Sequence, residues 1–429
     1  MLSDVKAARR VILDALRSRR SRRELDARLA NRPRIAPDSV EIAVYFSDTR
    51  VNLYQMRQWY APLAELAKTH PIAVITRSPG ATLTLLDECP VPVVYCRRIF
   101  DLERFVLEQE LRLVFYVNQN TKNFQMFRYG RMWHVFINHG ESDKIYMTSN
   151  QFKAYDYALV AGQAALDRLS RKVWAYDVER RAIPIGRPQT DHLAGEPPFA
   201  PDDRVVVFYA PTWEGDRQTM AYGSIASHGE AIAAAVLASP RHRLVYRPHP
   251  RSGVVDPAYR AANQRIQAAI RAANGRDPSA QHVVDDGPVL GWQLAADIAI
   301  TDISAMIYDR LATGRPILVT RPVSPDAEVD ESGFLAAVDW LEAGEAGDIV
   351  RIADRLLTDP ESRARLAHWS ERYFGDTTPG AATRRFHEAV ERMIAEWERH
   401  AALHADDPRT SEHDPLDDED DEGMPASGG

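Results

Sequence analysis

The sequence predicts an α/β fold of two doubly wound parallel-sheet units facing a cleft. Three observations predict it. Short, wholly apolar runs rich in Val, Ile, Tyr and Phe alternate with longer helical stretches along most of the chain, the mark of parallel strands buried on both faces. The alternation breaks at the proline-rich stretch 196–203 and then restarts. A chain of 429 residues also exceeds what one simple core holds. Two such units in series imply a cleft lined by the loops at the carboxyl ends of their strands.

Residues 1–38 form a basic helix and a linker. Val11, Ile12, Ala15, Leu16, Leu25 and Leu29 lie among Arg17, Arg19, Arg20, Arg22 and Arg23, which suits an anionic lipid surface or a solvated helix packed on the first unit. Pro33 and Pro37 mark the linker. The first unit, 39–196, takes strands from 41–46, 72–76, 92–96, 113–117, 134–138 and 157–162, with helices over 53–68 and 100–111. The second, 197–403, takes strands from 204–210, 243–247, 282–285, 297–301 and 316–320. Its helices fall at 225–238, 258–274, 289–295, 304–313, 347–372 and 380–402. Residues 404–429 are acidic and rich in Pro, Ser and Gly, bury no core and are expected to be disordered.

The apolar fraction of 45% and charged fraction of 27% are those of a soluble globular protein. There is no apolar run of about 18 residues and no signal-peptide pattern, so the expected location is the cytoplasm, peripheral on the inner membrane face. Cys89 and Cys96 cannot build a disulfide framework, and neither has a partner at metal-ligand spacing. The net charge of −8 divides into a basic start and an acidic end, and an acidic chain is a poor general binder of nucleic acid.

Four loops carry the chemistry. In Asn138-His139-Gly140-Glu141-Ser142-Asp143-Lys144 an imidazole at a strand end, followed by glycine, is placed to accept a proton from a hydroxyl. Alone, it also fits a structural histidine in a tight turn. Ala210-Pro211-Thr212-Trp213 ends a strand with a hydroxyl and an aromatic, suited to a ligand or to packing. In Arg247-Pro248-His249-Pro250 two prolines stiffen the backbone around a cation and an imidazole, an arrangement fit for phosphate oxygens. Thr301-Asp302-Ile303-Ser304 leads into a helix bearing Asp309, where Asp302 or Ser304 caps the first turn and the helix start attracts an anion. No GxGxxG, Walker A, GxSxG or HExxH pattern stands in a suitable context.

Taken in this order, the four segments resemble the CDP-glycerol glycerophosphotransferase family of teichoic-acid biosynthesis. The matching features are His139-Gly140 with Lys144, Ala210-Pro211-Thr212-Trp213, Arg247-Pro248-His249-Pro250, and Thr301 to Asp309 ahead of Arg315-Pro316. The resemblance covers about residues 130–320. It implies a GT-B architecture of two Rossmann-like domains, a CDP-glycerol or related CDP-polyol donor, CMP as leaving group, membrane association, and essential histidines at His139 and His249. It places the donor phosphates near Arg247, Thr212, Thr301, Asp302, Ser304 and Asp309, with Gly140, Lys144 and Trp213 beside them. No cofactor is obligatory, although Mg²⁺ accompanying the donor diphosphate is compatible. The acceptor expected on this resemblance is a glycan or a lipid-linked chain, whose identity the sequence does not give. The chain departs from the family at Glu141 and Asp143, where many members carry small, apolar or proline residues. Two rival readings share the features: a GT-B glycosyltransferase or epimerase using a nucleotide-sugar, and a catalytically silent scaffold for wall-polymer assembly.

Overall fold

The computed structural model describes residues 19–141, 145–287, 290–330 and 333–405. The start of the expected basic helix, Lys144 and most of the acidic tail lie outside them. Seven strands form the first sheet: β1 (Ile42–Phe46), β2 (Ile72–Thr76), β3 (Val93–Tyr95), β4 (Leu113–Tyr116), β5 (Trp133–Phe136), β6 (Tyr157–Val160) and β7 (Ala182–Pro184). Six form the second: β8 (Val205–Ala210), β9 (His242–Tyr246), β10 (Val283–Val284), β11 (Ile298–Thr301), β12 (Ile317–Thr320) and β13 (Asp339–Leu341). All pairings are parallel.

The orders are β3-β2-β1-β4-β5-β6-β7 and β10-β9-β8-β11-β12-β13. Each reverses beside its first strand, between β1 and β4 and between β8 and β11. Such a reversal opens a crevice at the strands' carboxyl ends, where α/β proteins bind ligands. Both faces of the first sheet are covered. Val44, Phe46 and Phe115 pack into one core layer, and Tyr45, Ile75 and Tyr116 into the other. This two-sided burial explains why the strands read as continuous apolar runs.

Local differences from the sequence reading have physical causes. The helix expected over 53–68 is two pieces, Leu53–Arg57 and Tyr60–Leu66, divided next to Trp59, whose buried indole N–H donates to the Asn138 carbonyl. The stretch 347–372 divides into Ile349–Thr358 and Pro360–Phe374. Pro360 opens the second helix and the Asp359 side chain caps it at the Glu361 N–H, 2.9 Å away. The three-residue strands β7 and β13 are too short to show a period.

The assignment of 197–403 to one unit is corrected at its end. The helix Ala381–Leu403 crosses back to the first sheet, where Phe386, Ala389, Val390, Met393 and Ile394 complete the core. The Phe386 ring lies 5.4 Å from Trp59 and 6.1 Å from Phe115. Polar ties follow along the helix: Glu398 to Arg112 at 2.8 Å, and the Trp397 indole to the Arg131 carbonyl at 2.9 Å.

Residues 19–29 are helical and lean on the first unit through buried Leu25 and an Arg28–Asp87 ion pair, while Arg19, Arg20 and Arg23 are exposed. Among the described residues no helix is long and apolar enough to cross a membrane. Both cysteines are free thiols, and burial pushes Cys96 up to about 12.

Candidate active site

The two sheet crevices open on one cleft of about 1310 Å³. The loop after β8 contributes Thr212 and Trp213, the loop after β9 contributes Arg247 and His249, the loop after β11 contributes Ser304, and the helix Ala305–Leu311 that follows contributes Asp309. The first unit contributes Tyr54, Gln58 and Arg187.

His139 follows β5, in a turn that Asn138 enters with a left-handed φ of 55°. The imidazole is half-buried and stands edge-on to Tyr54, with ring centroids 5.9 Å apart. Tyr54, against which it stands, lines the cleft; His139 itself is not among the lining residues. Its Nδ1 lies 2.8 Å from the Val117 carbonyl. A carbonyl only accepts, so Nδ1 carries the proton and Nε2 keeps its lone pair. Burial holds the imidazole below its ordinary range; the Val117 carbonyl opposes this and the positive charge of Arg187 reinforces it. His139 therefore stays neutral, with a basic nitrogen, in ordinary conditions.

His249 has the opposite arrangement. Its Nδ1 accepts from the Arg251 backbone N–H at 3.1 Å, so in the neutral ring the proton is on Nε2 and is available to an anion. Burial, aided by the Arg251 charge and opposed by Glu214, holds this imidazole low as well. Its loop is fixed from three sides. The Arg251 guanidinium lies 3.8 Å over Trp213. The Glu214 carboxylate accepts from the N–H groups of Gly253, Val255 and Asp256 at 2.7–3.0 Å. The His249 N–H itself donates to the Pro211 carbonyl at 3.2 Å.

Three expected ligand residues have different surroundings from those anticipated. Arg247 lines the cleft, but its guanidinium is already paired with Asp285 at 2.5 Å and donates to the Gly287 carbonyl at 2.8 Å. It fixes the loop rather than offering a free fork. Asp302 is fully enclosed: its carboxylate accepts from Thr212 N–H at 2.7 Å, Ser224 N–H at 3.0 Å and Thr320 Oγ1 at 2.6 Å. Burial outweighs these donors and pushes the carboxyl up to about 6. It ties together the loops behind the wall. Thr301 is likewise buried within β11, with its Oγ1 enclosed and unpaired. Ser304 caps the helix Ala305–Leu311, accepting from the Met306 N–H.

The sequence reading missed Arg187. It follows β7 and Gly186, whose φ of 76° and crowding against the Phe374 carbonyl leave no room for a side chain. Arg187 reaches across the cleft to Asp309 at 2.5 Å, joining the two units. Its Nη2 donates to Gln58 at 3.1 Å, and its buried Nε has no partner in the structure. Burial raises the Asp309 carboxyl while Arg187 draws it down. The signal was present, since Gly186-Arg187-Pro188 repeats the cation-before-proline pattern of Arg247-Pro248. Glu141, the departure noted at the His139 turn, is buried and paired with Arg168. It braces the turn from the side and does not add a loose charge near the imidazole.

A family model described as CDP-glycerol:poly(glycerophosphate) glycerophosphotransferase matches residues 137–359. That span holds every loop just described and more than half of the chain. The chain belongs to this glycerophosphotransferase family. Among solved structures, the wall teichoic acid polymerase TagF superposes with a TM-score of 0.54 at 12% identity, covering 92% of this chain and 98% of that one. The UDP-GlcNAc 2-epimerase from Neisseria meningitidis gives 0.53 at 14%, covering 82% and 100%. At these identities the likeness shows the fold, which is GT-B-like. No curated protein matches by sequence. The family match begins at Ile137, so the glycerophosphotransferase signature starts at the His139 turn and leaves most of the first sheet outside it.

Proposed function

We propose that the protein transfers glycerol phosphate, or a related polyol phosphate, from a CDP-activated donor to an acceptor hydroxyl, releasing CMP. The observation that supports it most is the opposite tautomers of two histidines that follow strands of the two sheets: His139, with a basic Nε2, and His249, which lines the cleft with a donating Nε2–H. The family match supplies the donor class.

In this reading the acceptor oxygen attacks the phosphorus that bears the polyol, in line with the departing CMP oxygen. Its proton passes to His139 Nε2. One P–O bond forms, the P–O bond to CMP breaks, and that electron pair leaves with CMP. His249 Nε2–H stabilises charge on the diphosphate, Thr212 and Ser304 hold its oxygens, and Arg247 keeps the His249 loop in place. Asp309 binds the ribose or the polyol once Arg187 turns towards phosphate. Catalysis then rests on positioning and electrostatics. The Arg187 charge and the His249 N–H make a metal dispensable in this reading, while Mg²⁺ arriving with the donor is compatible. Among the described residues no group of three His, Cys, Asp or Glu side chains is placed to hold a metal. The basic N-terminal helix would hold the enzyme on the inner membrane face, near a lipid-linked acceptor.

Calorimetric titration with CDP-glycerol, CDP-ribitol and UDP-sugars tests the donor, and mass spectrometry of products tests the transfer. CDP-polyol binding with CMP release is expected. Exclusive binding of a UDP-sugar would overturn the reading in favour of a glycosyltransferase or epimerase. Binding of neither would favour a silent scaffold.

A further inference from the structure

We propose that the groove between the helices Gln163–Lys172 and Pro360–Phe374 is an acceptor arm of the cleft, which grips a phosphate of the acceptor chain away from its reacting hydroxyl. The proposal rests on the transferase reading and takes the phosphate-bearing acceptor from the family's description; what it adds is where on this chain such an acceptor is held.

The cleft is large for one ligand. Its volume of about 1310 Å³ exceeds the roughly 300–1,000 Å³ of ordinary small-molecule pockets. The loops after β8, β9 and β11 line one part of it. The lining continues beyond them along the two helices, which contact each other and meet the first part at Arg187 and Asp309. The contact is close where β6 ends. A Cβ on Gly162 would stand 2.5 Å from the Tyr373 carbonyl oxygen.

The chemistry of this arm differs from that of the donor loops. Tyr308, Tyr373, Trp369 and Phe334 form a run of aromatic rings at centroid spacings of 5.5–6.1 Å, and all four line the cleft. Tyr373 and Phe334 are buried beneath the wall, and the partly exposed Tyr308 and Trp369 offer the faces that suit the C–H surfaces of a polyol or sugar chain. Arg168 and Arg372 are already paired, with Glu141 and Asp167. Arg171 and Lys172 are exposed, line the cleft, and have no carboxylate partner among the described residues. A helix C-terminus favours cations by itself, but that alone does not place two of them on the wall of a cleft beside an aromatic run. Glu328 and Asp330 also line the cleft, so the anion sits against the helices and away from these acids.

The test uses the full-length protein with CDP-glycerol as donor and two soluble acceptors: a short glycerol phosphate oligomer and a neutral glycan of similar length. CMP release gives kcat and KM, and calorimetry gives donor affinity. The variant R171E/K172E alters exposed side chains and should fold. Its KM for the phosphate oligomer should rise about tenfold or more at low salt, as two charge-assisted contacts become repulsive. Its donor affinity and its KM for the neutral glycan should stay at wild-type values. R171K/K172R should behave nearly as wild type, and added salt should raise the wild-type KM more than that of the double variant. Equal KM values for variant and wild type would overturn the proposal, and so would a loss confined to CDP-glycerol affinity. Release from anionic vesicles with an unchanged KM would also overturn it, assigning the two cations to a membrane face. Absence of CDP-glycerol binding in the wild type would sink the transferase reading itself; normal donor binding with an unmoved acceptor KM would sink only the arm.

Discussion

Arg187 sets a mostly buried positive charge beside His139 and holds Asp309 from the other unit. Removing that charge should let the imidazole protonate at higher pH. For a base that must be neutral, the acidic limb of the kcat/KM profile then moves up in Arg187→Met, whereas Arg187→Lys keeps it near the wild-type position. His139→Ala should lower turnover by about 10²–10⁴-fold with CDP-glycerol affinity retained. An unmoved limb in Arg187→Met would show that its charge does not reach the base. Asp302 gives a separate prediction, concerning stability. Its folded carboxyl is raised to about 6, above the ordinary carboxylate value near 3.8. The native state therefore holds a proton that the unfolded chain releases between those values, and this group's contribution to stability is lost as pH rises through about 6. Denaturant unfolding of wild type and Asp302→Asn should show the wild type gaining relative stability as pH falls from 7 to about 4. A pH-independent difference between the two would contradict it. These residue roles were only partly legible. Asp302 and Ser304 looked alike as helix-capping candidates in the sequence. What separates them is that Asp302 meets N–H groups from Thr212 and Ser224 and the Thr320 hydroxyl, on segments far away in the chain.

Among the elements, the central strands were the most readable because each is buried on both faces and therefore continuously apolar. Strand edges and broken helices were not, since their limits depend on tertiary contacts such as the Trp59 indole bond to Asn138. The order of the loops along the chain made the second unit's side of the cleft readable. The first unit's share, Tyr54 and Arg187, lay outside any motif. The basic N-terminal helix makes a prediction at this scale. Leu25 and Arg28 attach its described end to the first unit, while Arg19, Arg20 and Arg23 face solvent. Replacing these three by Glu should weaken binding to anionic vesicles without altering the fold, each arginine near the surface contributing about 1 kcal/mol. Vesicle sedimentation at low salt checks it, with circular dichroism as the fold control. Undiminished sedimentation would place the membrane contact elsewhere.

The whole molecule is closed by a helix that sequence order assigns to the wrong side. Chain continuity places Ala381–Leu403 after the second sheet, yet its apolar stripe fills the first unit's core. The units are joined by the linker after β7, by this returning helix, and by the packing of the helix Pro360–Phe374 on the helix Gln163–Lys172 with its Arg372–Asp167 pair. The Arg187–Asp309 pair spans the cleft itself. Phe386 is fully buried against Trp59 and Phe115. Phe386→Ala should therefore remove about 3–5 kcal/mol of stability. The loss should appear in the first unit, although the residue lies in the last stretch of chain. Because the chain has eight tryptophans, residue-resolved hydrogen exchange is the local probe: in Phe386→Ala, β1 and β4 should lose protection in mild denaturant, while β8 and β11 should keep theirs. If β8 and β11 lose protection together with β1 and β4, the two units unfold as one, and the helix acts as a rigid strut rather than as a piece of the first core.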